Sequence, residues 1–341
     1  MTTMKAVGLY RYLPVDNPES LIDVQIEKPA PMGRDLLVKV IAIAVNPVDY
    51  KVRSPKDKIE ENPKILGWDV AGIVEAAGPE CSLFKPGDEI YYAGSITRQG
   101  GNCEFHLVDE RIVGKKPKTL DFAQAAALPL TTITAYEGMF DRMGISTNPD
   151  QNKGKTLLII GAAGGVGSIA IQLAKLAGLT VIGTASRPES AKWAKEHGAD
   201  FTINHYEQFV PQLRQIGFEH VNYIFCLNTT EKHWDNMSDA IAPRGIICSI
   251  VDSKEPLDMN PLKNKSAAFV WEYMFTRSMF QTADLIEQHN LLNKVADLID
   301  SGKVKTTLSE RLTPINAENL RKAHAMLESG TAIGKIVLEN F

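Results

Sequence analysis

Thr156-Leu157-Leu158-Ile159-Ile160-Gly161-Ala162-Ala163-Gly164-Gly165-Val166-Gly167-Ser168-Ile169-Ala170-Ile171-Gln172-Leu173-Ala174-Lys175-Leu176-Ala177-Gly178 is the stretch from which the fold is read. Leu157 to Ile160 is a short, wholly apolar run, the pattern of a strand covered on both faces of a parallel sheet. Gly161, Gly164 and Gly167 come next, three apart, a spacing that lets the chain reverse tightly, lets a pyrophosphate approach the backbone and brings a helix close to the strand. Gly165 and Val166 open that helix, whose unsatisfied N–H groups and positive dipole end make an anion site without a basic side chain. Ile169, Leu173, Leu176 and Ala177 recur at helical spacing and are expected to face the sheet.

Two blander readings compete. Thr156 to Ala174 carries no charge, which suggests a membrane span, but the glycines and the change from strand to helix period argue against one. A strand-turn-helix without a ligand is opposed by the next hundred or so residues, a succession of alternating β and α patterns of the kind a dinucleotide fold requires. Strands are expected at Thr180 to Ala185, Phe201 to Asn204, Val221 to Cys226 and Gly245 to Val251. Helices are expected at Pro188 to His197, Tyr206 to Ile216 and Glu231 to Ile241, the whole forming a doubly wound parallel sheet.

Upstream, from Lys5 to about residue 118, short strands alternate with turns such as Lys85-Pro86-Gly87-Asp88, the mark of a β-rich, barrel-like domain. Six strands are expected there: Lys5 to Leu9, Leu21 to Glu27, Leu36 to Ala44, Val70 to Ala77, Glu89 to Ala93 and Glu104 to Val108. Asn46 precedes Pro47 and is biased toward a turn that leads into a short helix. Asp121 is placed to cap a helix, and a second is expected from Thr131 to Met143. Downstream, helices near Ala283 to Ser301 and Ala317 to Ser329 precede a final strand, Gly334 to Leu338.

At 341 residues the chain has room for two domains. A net charge of 37 − 41 = −4 with no long basic run gives no support to nucleic-acid or anionic-membrane binding. The first residues lack the cationic and apolar regions of a signal peptide, so a cytoplasmic protein is expected. Four widely spaced cysteines with no Cys-x-x-Cys pair suggest reduced, mostly buried thiols.

Val-Asn-Pro-Val-Asp at 45 to 49, Pro-Gly-Asp at 86 to 88, Gly-Ala-Ala-Gly-Gly-Val-Gly at 161 to 167 and Gly-Lys-Ile-Val-Leu at 334 to 338 together resemble the medium-chain dehydrogenase/reductase superfamily. Within it the chain is most similar to the quinone-oxidoreductase branch, among bacterial proteins called zinc-type alcohol dehydrogenase-like. The resemblance implies an α/β protein: a GroES-like β-barrel domain from 1-125 and 281-341, and a Rossmann NADP(H)-binding domain from 126-280. A cleft between the two is expected to hold the nicotinamide. It also implies that the metal-ligand positions of the zinc enzymes are filled here by Asn46, Trp68 and Asp69, so that no zinc is expected.

No carboxylate stands at the end of strand two, where one would hold the ribose hydroxyls of NAD. Ser186 and Arg187 stand there instead, with Ser190 one turn on, so NADPH is the expected cofactor. By the family resemblance His205 reaches the same phosphate, and a surface histidine is the alternative reading. Thr131, Thr132 and Asn228 are expected to flank the nicotinamide, and Lys335 either neutralises the pyrophosphate or is an exposed lysine. Asn46 and Tyr50 are the expected substrate contacts, while Asp49 and Arg53 have the i, i+4 spacing of a helix-surface pair. The expected partners are a small quinone or enone and a second copy of the chain, paired through Ala267 to Trp271. The leading function is an NADPH-dependent quinone or enone oxidoreductase. Its rivals are a zinc-type alcohol dehydrogenase and an NADPH-binding redox sensor without turnover.

Overall fold

The computed structural model describes residues 2–341, and these divide into two compact units, residues 2–130 with 275–341, and Thr131–Met274. In the second unit six strands form one parallel sheet. Numbered along the chain they are Thr156–Ile160, Thr180–Thr184, Phe201–Ile203, Val221–Cys226, Ile241–Ser249 and Ala268–Trp271, and they lie in the order 3-2-1-4-5-6. Leu158 is central, opposite Ile182 on one side and Ile224 on the other. The order reverses beside this first strand, and ligands of such sheets bind at the carboxyl ends of the strands at that point. The fully apolar first strand reflects burial on both faces: Leu158 and Ile160 join Ile182, Ile224, Trp234 and Met237 in one core cluster.

Gly165–Leu176 is the helix expected after the glycine turn. Its buried stripe runs through Ala170, Leu173, Ala174 and Ala177, which turns Leu176, with Lys175, outward; Leu176 is 37% exposed rather than facing the sheet. The uncharged stretch is thus split between a strand and a helix, and among the described residues no helix is long and apolar enough to cross a membrane.

The first unit holds two sheets. One is three-stranded and antiparallel, with Thr3–Tyr12 between Ile22–Glu27 and Lys56–Ile65. The other runs Leu308–Leu312, Lys335–Glu339, Asp35–Ala44, Asp69–Ala77, Glu89–Ala93, Val113–Lys115, with Phe105–Asp109 also paired to Asp35–Ala44. Lys56–Ile65 escapes a reading by pattern because it is charged at six of ten positions and contains Pro63. An edge strand tolerates both features. The C-terminal strand has the most direct bearing on the polar chemistry of this unit: Val337 pairs with Ala44, which carries Lys335 to the residues just after Ala44.

All four cysteines are free; Cys103, Cys226 and Cys248 are buried and Cys81 is half-buried.

Candidate functional site

Pro47–Arg53 is a short helix entered through Asn46, whose extended backbone (φ −133°, ψ 158°) is the conformation a residue before proline favours. The Asn46 N–H donates to Asp49 Oδ2 at 2.6 Å, closing the first turn. The carboxamide of Asn46 is consumed internally: Nδ2 donates to Asp69 Oδ2 at 2.7 Å, and Oδ1 accepts from the Lys335 ammonium. Lys335 Nζ also donates to Val45 O at 2.8 Å and to Asp69 Oδ2 at 2.9 Å, while Asp69 Oδ1 accepts from Leu130 N at 2.7 Å. Asn46, Asp69 and Lys335 are all at most 3% exposed.

Three expectations are corrected here. Asn46 does not offer its amide to a substrate, because both ends of the group are spent inside a buried cluster. Lys335 is neither an exposed lysine nor free for a pyrophosphate, since its charge balances Asp69. Asp49 and Arg53 are not a surface pair: both are buried, and Arg53 instead binds Leu13 O, His324 Nδ1 and Glu328.

Asp49 Oδ1 is buried without a hydrogen-bond partner. Its carboxyl is pushed up to about 7, chiefly by burial and further by Asp69, against the opposing pull of the Asn46 N–H and the Lys335 charge. Tyr50 is half-buried, and its phenol is pushed up by burial and then by the nearby charge of Glu328. That keeps the proton on the phenol through neutral pH. Trp68 is fully buried, donates from its indole N–H to Ser95 O at 3.1 Å and stands edge-on to Phe275.

In the second unit the glycine turn is built as its spacing requires. Gly161 has φ +86°, a left-handed conformation. A Cβ at Gly167 would lie 2.5 Å from Gly161 O and 2.6 Å from Ala162 O, so only glycine allows the helix to start this close to the strand. Gly164 is the N-cap residue, and Gly165 and Val166 form the first helical turn. Thr184, which pattern reading did not single out, fixes the turn by accepting the Gly161 N–H at 3.1 Å. Its position at the end of strand two was the available signal.

Ser186 is exposed, Arg187 caps the helix Pro188–Glu196 and Ser190 is buried in that helix's first turn. His205 lies near enough to Arg187 for the guanidinium to act on it, and its pKa is lowered by burial and then by that charge. These four residues therefore gather at one end of the sheet. Asn228 is exposed after strand four, with Oδ1 accepting from the N–H and hydroxyl of Thr229. Thr131 and Thr132 are both buried, and the Thr132 hydroxyl has no partner within the chain. The glycine cradle at the start of the helix fits a dinucleotide pyrophosphate in this unit.

Zinc does not fit the equivalent positions of the first unit. At the positions that the resemblance equates with the zinc ligands stand a buried carboxamide and an indole, neither of them a thiolate or an imidazole, and a carboxylate already paired with an ammonium. Among the described residues no three His, Cys, Asp or Glu side chains form a group able to hold a metal.

The chain matches the alcohol dehydrogenase GroES-like domain over residues 33–127 and the zinc-binding dehydrogenase model over residues 197–338. A zinc-type alcohol dehydrogenase-like protein of Staphylococcus aureus is 44% identical over 98% of this chain and 99% of its own. The chain belongs to the medium-chain dehydrogenase/reductase superfamily. Other members similar to it are a 2-methylene-furan-3-one reductase of Solanum lycopersicum, 31% identical over 89% of this chain and 71% of its own, and a quinone oxidoreductase of Pongo abelii, 31% identical over 82% and 83%. Among solved structures, a Rhizobium etli protein described as a candidate zinc-dependent alcohol dehydrogenase superposes with TM-score 0.95 at 50% identity, covering 100% of this chain and 99% of that one. The Escherichia coli quinone oxidoreductase complexed with NADPH superposes with TM-score 0.80 at 25% identity, over 98% and 99%. The superfamily fold is therefore a Rossmann-type parallel sheet with a GroES-like domain, and the chain is a member of an oxidoreductase family.

Proposed function

We propose that the protein is an NADPH-dependent oxidoreductase that reduces quinones or α,β-unsaturated carbonyls without zinc. The observation that carries this reading is the cluster of Asn46, Asp69 and Lys335: an internal ammonium neutralises the carboxylate, and the family resemblance equates Asn46 and Asp69 with metal-ligand positions of the zinc enzymes. Reduction of a simple carbonyl concentrates negative charge on one oxygen and profits from a Lewis acid. NADPH supplies hydride when bound, and addition at the far carbon of an enone or quinone spreads the charge into an enolate or phenolate that neutral donors stabilise. Tyr50 is the residue assigned to that task. Its raised pKa keeps the phenol protonated, so it donates a hydrogen bond to the developing oxyanion, and Tyr50 or solvent delivers the proton. Asp49 and the Asn46 backbone hold the first turn of its helix.

NADPH is assigned to the second unit through the glycine turn, Thr131, Thr132, Asn228 and the group Ser186, Arg187, Ser190 and His205, with no carboxylate at the end of strand two. A homodimer is assigned to the edge strand Ala268–Trp271, where Trp271 remains 45% exposed. The names of the enone-reductase and quinone-oxidoreductase relatives support the substrate class.

The test is NADPH oxidation against a panel of quinones, enones, aldehydes and alcohols, with metal content measured on the same protein. Turnover of an enone or quinone by zinc-free protein is expected, together with a Tyr50→Phe variant of lower kcat and nearly unchanged NADPH affinity. Stoichiometric zinc, or brisk acetaldehyde reduction with no enone or quinone activity, overturns the assignment. Sedimentation showing only monomer at micromolar concentration removes the dimer.

A further inference from the structure

His205 sits in a setting that a plain phosphate contact does not require. Its Nδ1 and that of His233 are both buried and without hydrogen-bond partners, and their rings stand 6.2 Å apart at 83°. His233 is held from behind by stacking on Phe209, with centroids 6.1 Å apart, and the Tyr206 ring lies 4.4 Å from that of His205 on its own loop. Glu207, two residues after His205, accepts from Asn204 Nδ2 at 2.9 Å, and the charges that act on the two rings are Arg187, at the start of the helix Pro188–Glu196, on His205, and Lys232, beside His233 on the helix Thr230–Ala240, on His233. Both are cations. A buried ring nitrogen left without a partner costs free energy, and two lie in this one place.

We propose that His205 is a proton-accepting specificity residue: docking of the phosphate monoester of the phosphorylated dinucleotide beside Arg187 draws a proton from solvent onto the His205 ring. This rests on the assignment of NADPH to the second unit.

Without a ligand, burial and the neighbouring guanidinium keep His205 neutral at pH 7, which avoids setting two cations side by side. His233 is neutral as well, pushed down to about 4 by burial and then by His205 and Lys232. The phosphate monoester is mostly a dianion above its second pKa of about 6. It carries more negative charge than Arg187 alone neutralises, and this reverses the balance at His205. One proton leaves the buffer and one N–H bond forms on the ring; no other bond changes. The bound pKa is thus raised above the free one. Affinity for NADPH is highest below the free pKa, falls as pH rises between the two values and is flat above the bound one. NADH lacks the phosphate and leaves the ring unprotonated.

The experiment is titration calorimetry of the intact protein with NADPH and with NADH, in two buffers of different ionisation enthalpy at pH 7. Dissociation constants from pH 7 to 8.5 complete it, a unit or more above the second pKa of about 6 of the phosphate itself. Expected are net proton uptake with NADPH, none with NADH, and an NADPH Kd that weakens several-fold across the range. His205→Gln should abolish the uptake and flatten the profile while leaving the NADH Kd unchanged. Zero uptake with NADPH in the wild type, or the same uptake in His205→Gln, overturns the proposal. NADPH binding no tighter than NADH overturns the cofactor assignment instead, a separate failure seen in the same data.

Discussion

The polar cluster of the first unit and the nucleotide end of the second are both buried and charged, yet they are built on opposite terms. Around Lys335 the hydrogen-bonding capacity of Asn46 and Asp69 is spent within the chain. In the second unit the Thr132 hydroxyl and two imidazole nitrogens are buried and left without partners. Burying a polar group without a partner costs free energy, so the first arrangement needs no ligand to satisfy it and the second gains from one. Asp49 is the exception inside the closed cluster, with one orphaned carboxylate oxygen.

Breaking the closed cluster should have the largest effect. Lys335→Met leaves Asp69 buried without a counter-charge and should destabilise the fold by about 3–5 kcal/mol, read from chemical denaturation. A loss below about 1 kcal/mol would mean that water enters and that the cluster is not closed.

Asp49 tests the exception. Its folded pKa, about 7, lies above the ordinary carboxylate value of 3.8, so the native state holds the proton more tightly than the unfolded chain does. Its penalty on stability is absent below the lower value, grows as pH rises between the two and is constant above 7. Asp49→Asn should therefore gain on the wild type as pH rises from about 4 to 7, by at most about 4 kcal/mol. A constant difference between the two proteins from pH 5 to pH 8 would show that Asp49 ionises normally.

For the open region, Arg187→Asp should weaken NADPH by about 1.5–3 kcal/mol, or roughly ten- to a hundredfold, and spare NADH. Equal losses for the two cofactors would take Arg187 out of the phosphate site. Thr132→Val should be the mildest change. Losing a hydroxyl that has no partner in the free chain should alter stability by less than about 1 kcal/mol, while NADPH binding or turnover falls. A clear loss of stability with unchanged NADPH kinetics would place Thr132 among the structural residues.

Much was legible from local pattern. The apolar run before Gly161, the glycine spacing and the β/α alternation led to a doubly wound parallel sheet, whose order 3-2-1-4-5-6 the structure supplies, and Asp121 does cap its helix through a reciprocal pair with Gln124. Lys56–Ile65 was hidden because an edge strand needs no hydrophobic alternation. Arg53 and Asp49 were misread because an i, i+4 pair shows which side of a helix two residues share and not whether that side meets water. The binding of Glu328 and His324 to Arg53 carried no signal at all, being a contact across more than 270 residues of chain.

The sequence by itself determined the class of the fold and the dinucleotide turn, because both depend on residue type at short spacing, while the reading of Asn46, Trp68 and Asp69 as stand-ins for zinc ligands came from the family resemblance. Only the tertiary structure decided what those replacements do. The pairing of Val337 with Ala44 brings Lys335 to Asn46 and Asp69 from the far end of the chain, and turns three ordinary polar residues into a self-neutralised cluster. Burial then sets the Asp49 carboxyl near neutrality, and strand order sets His205 beside Arg187. Charge balance and desolvation depend on which groups meet in space, and spacing along a chain does not encode distances of that kind.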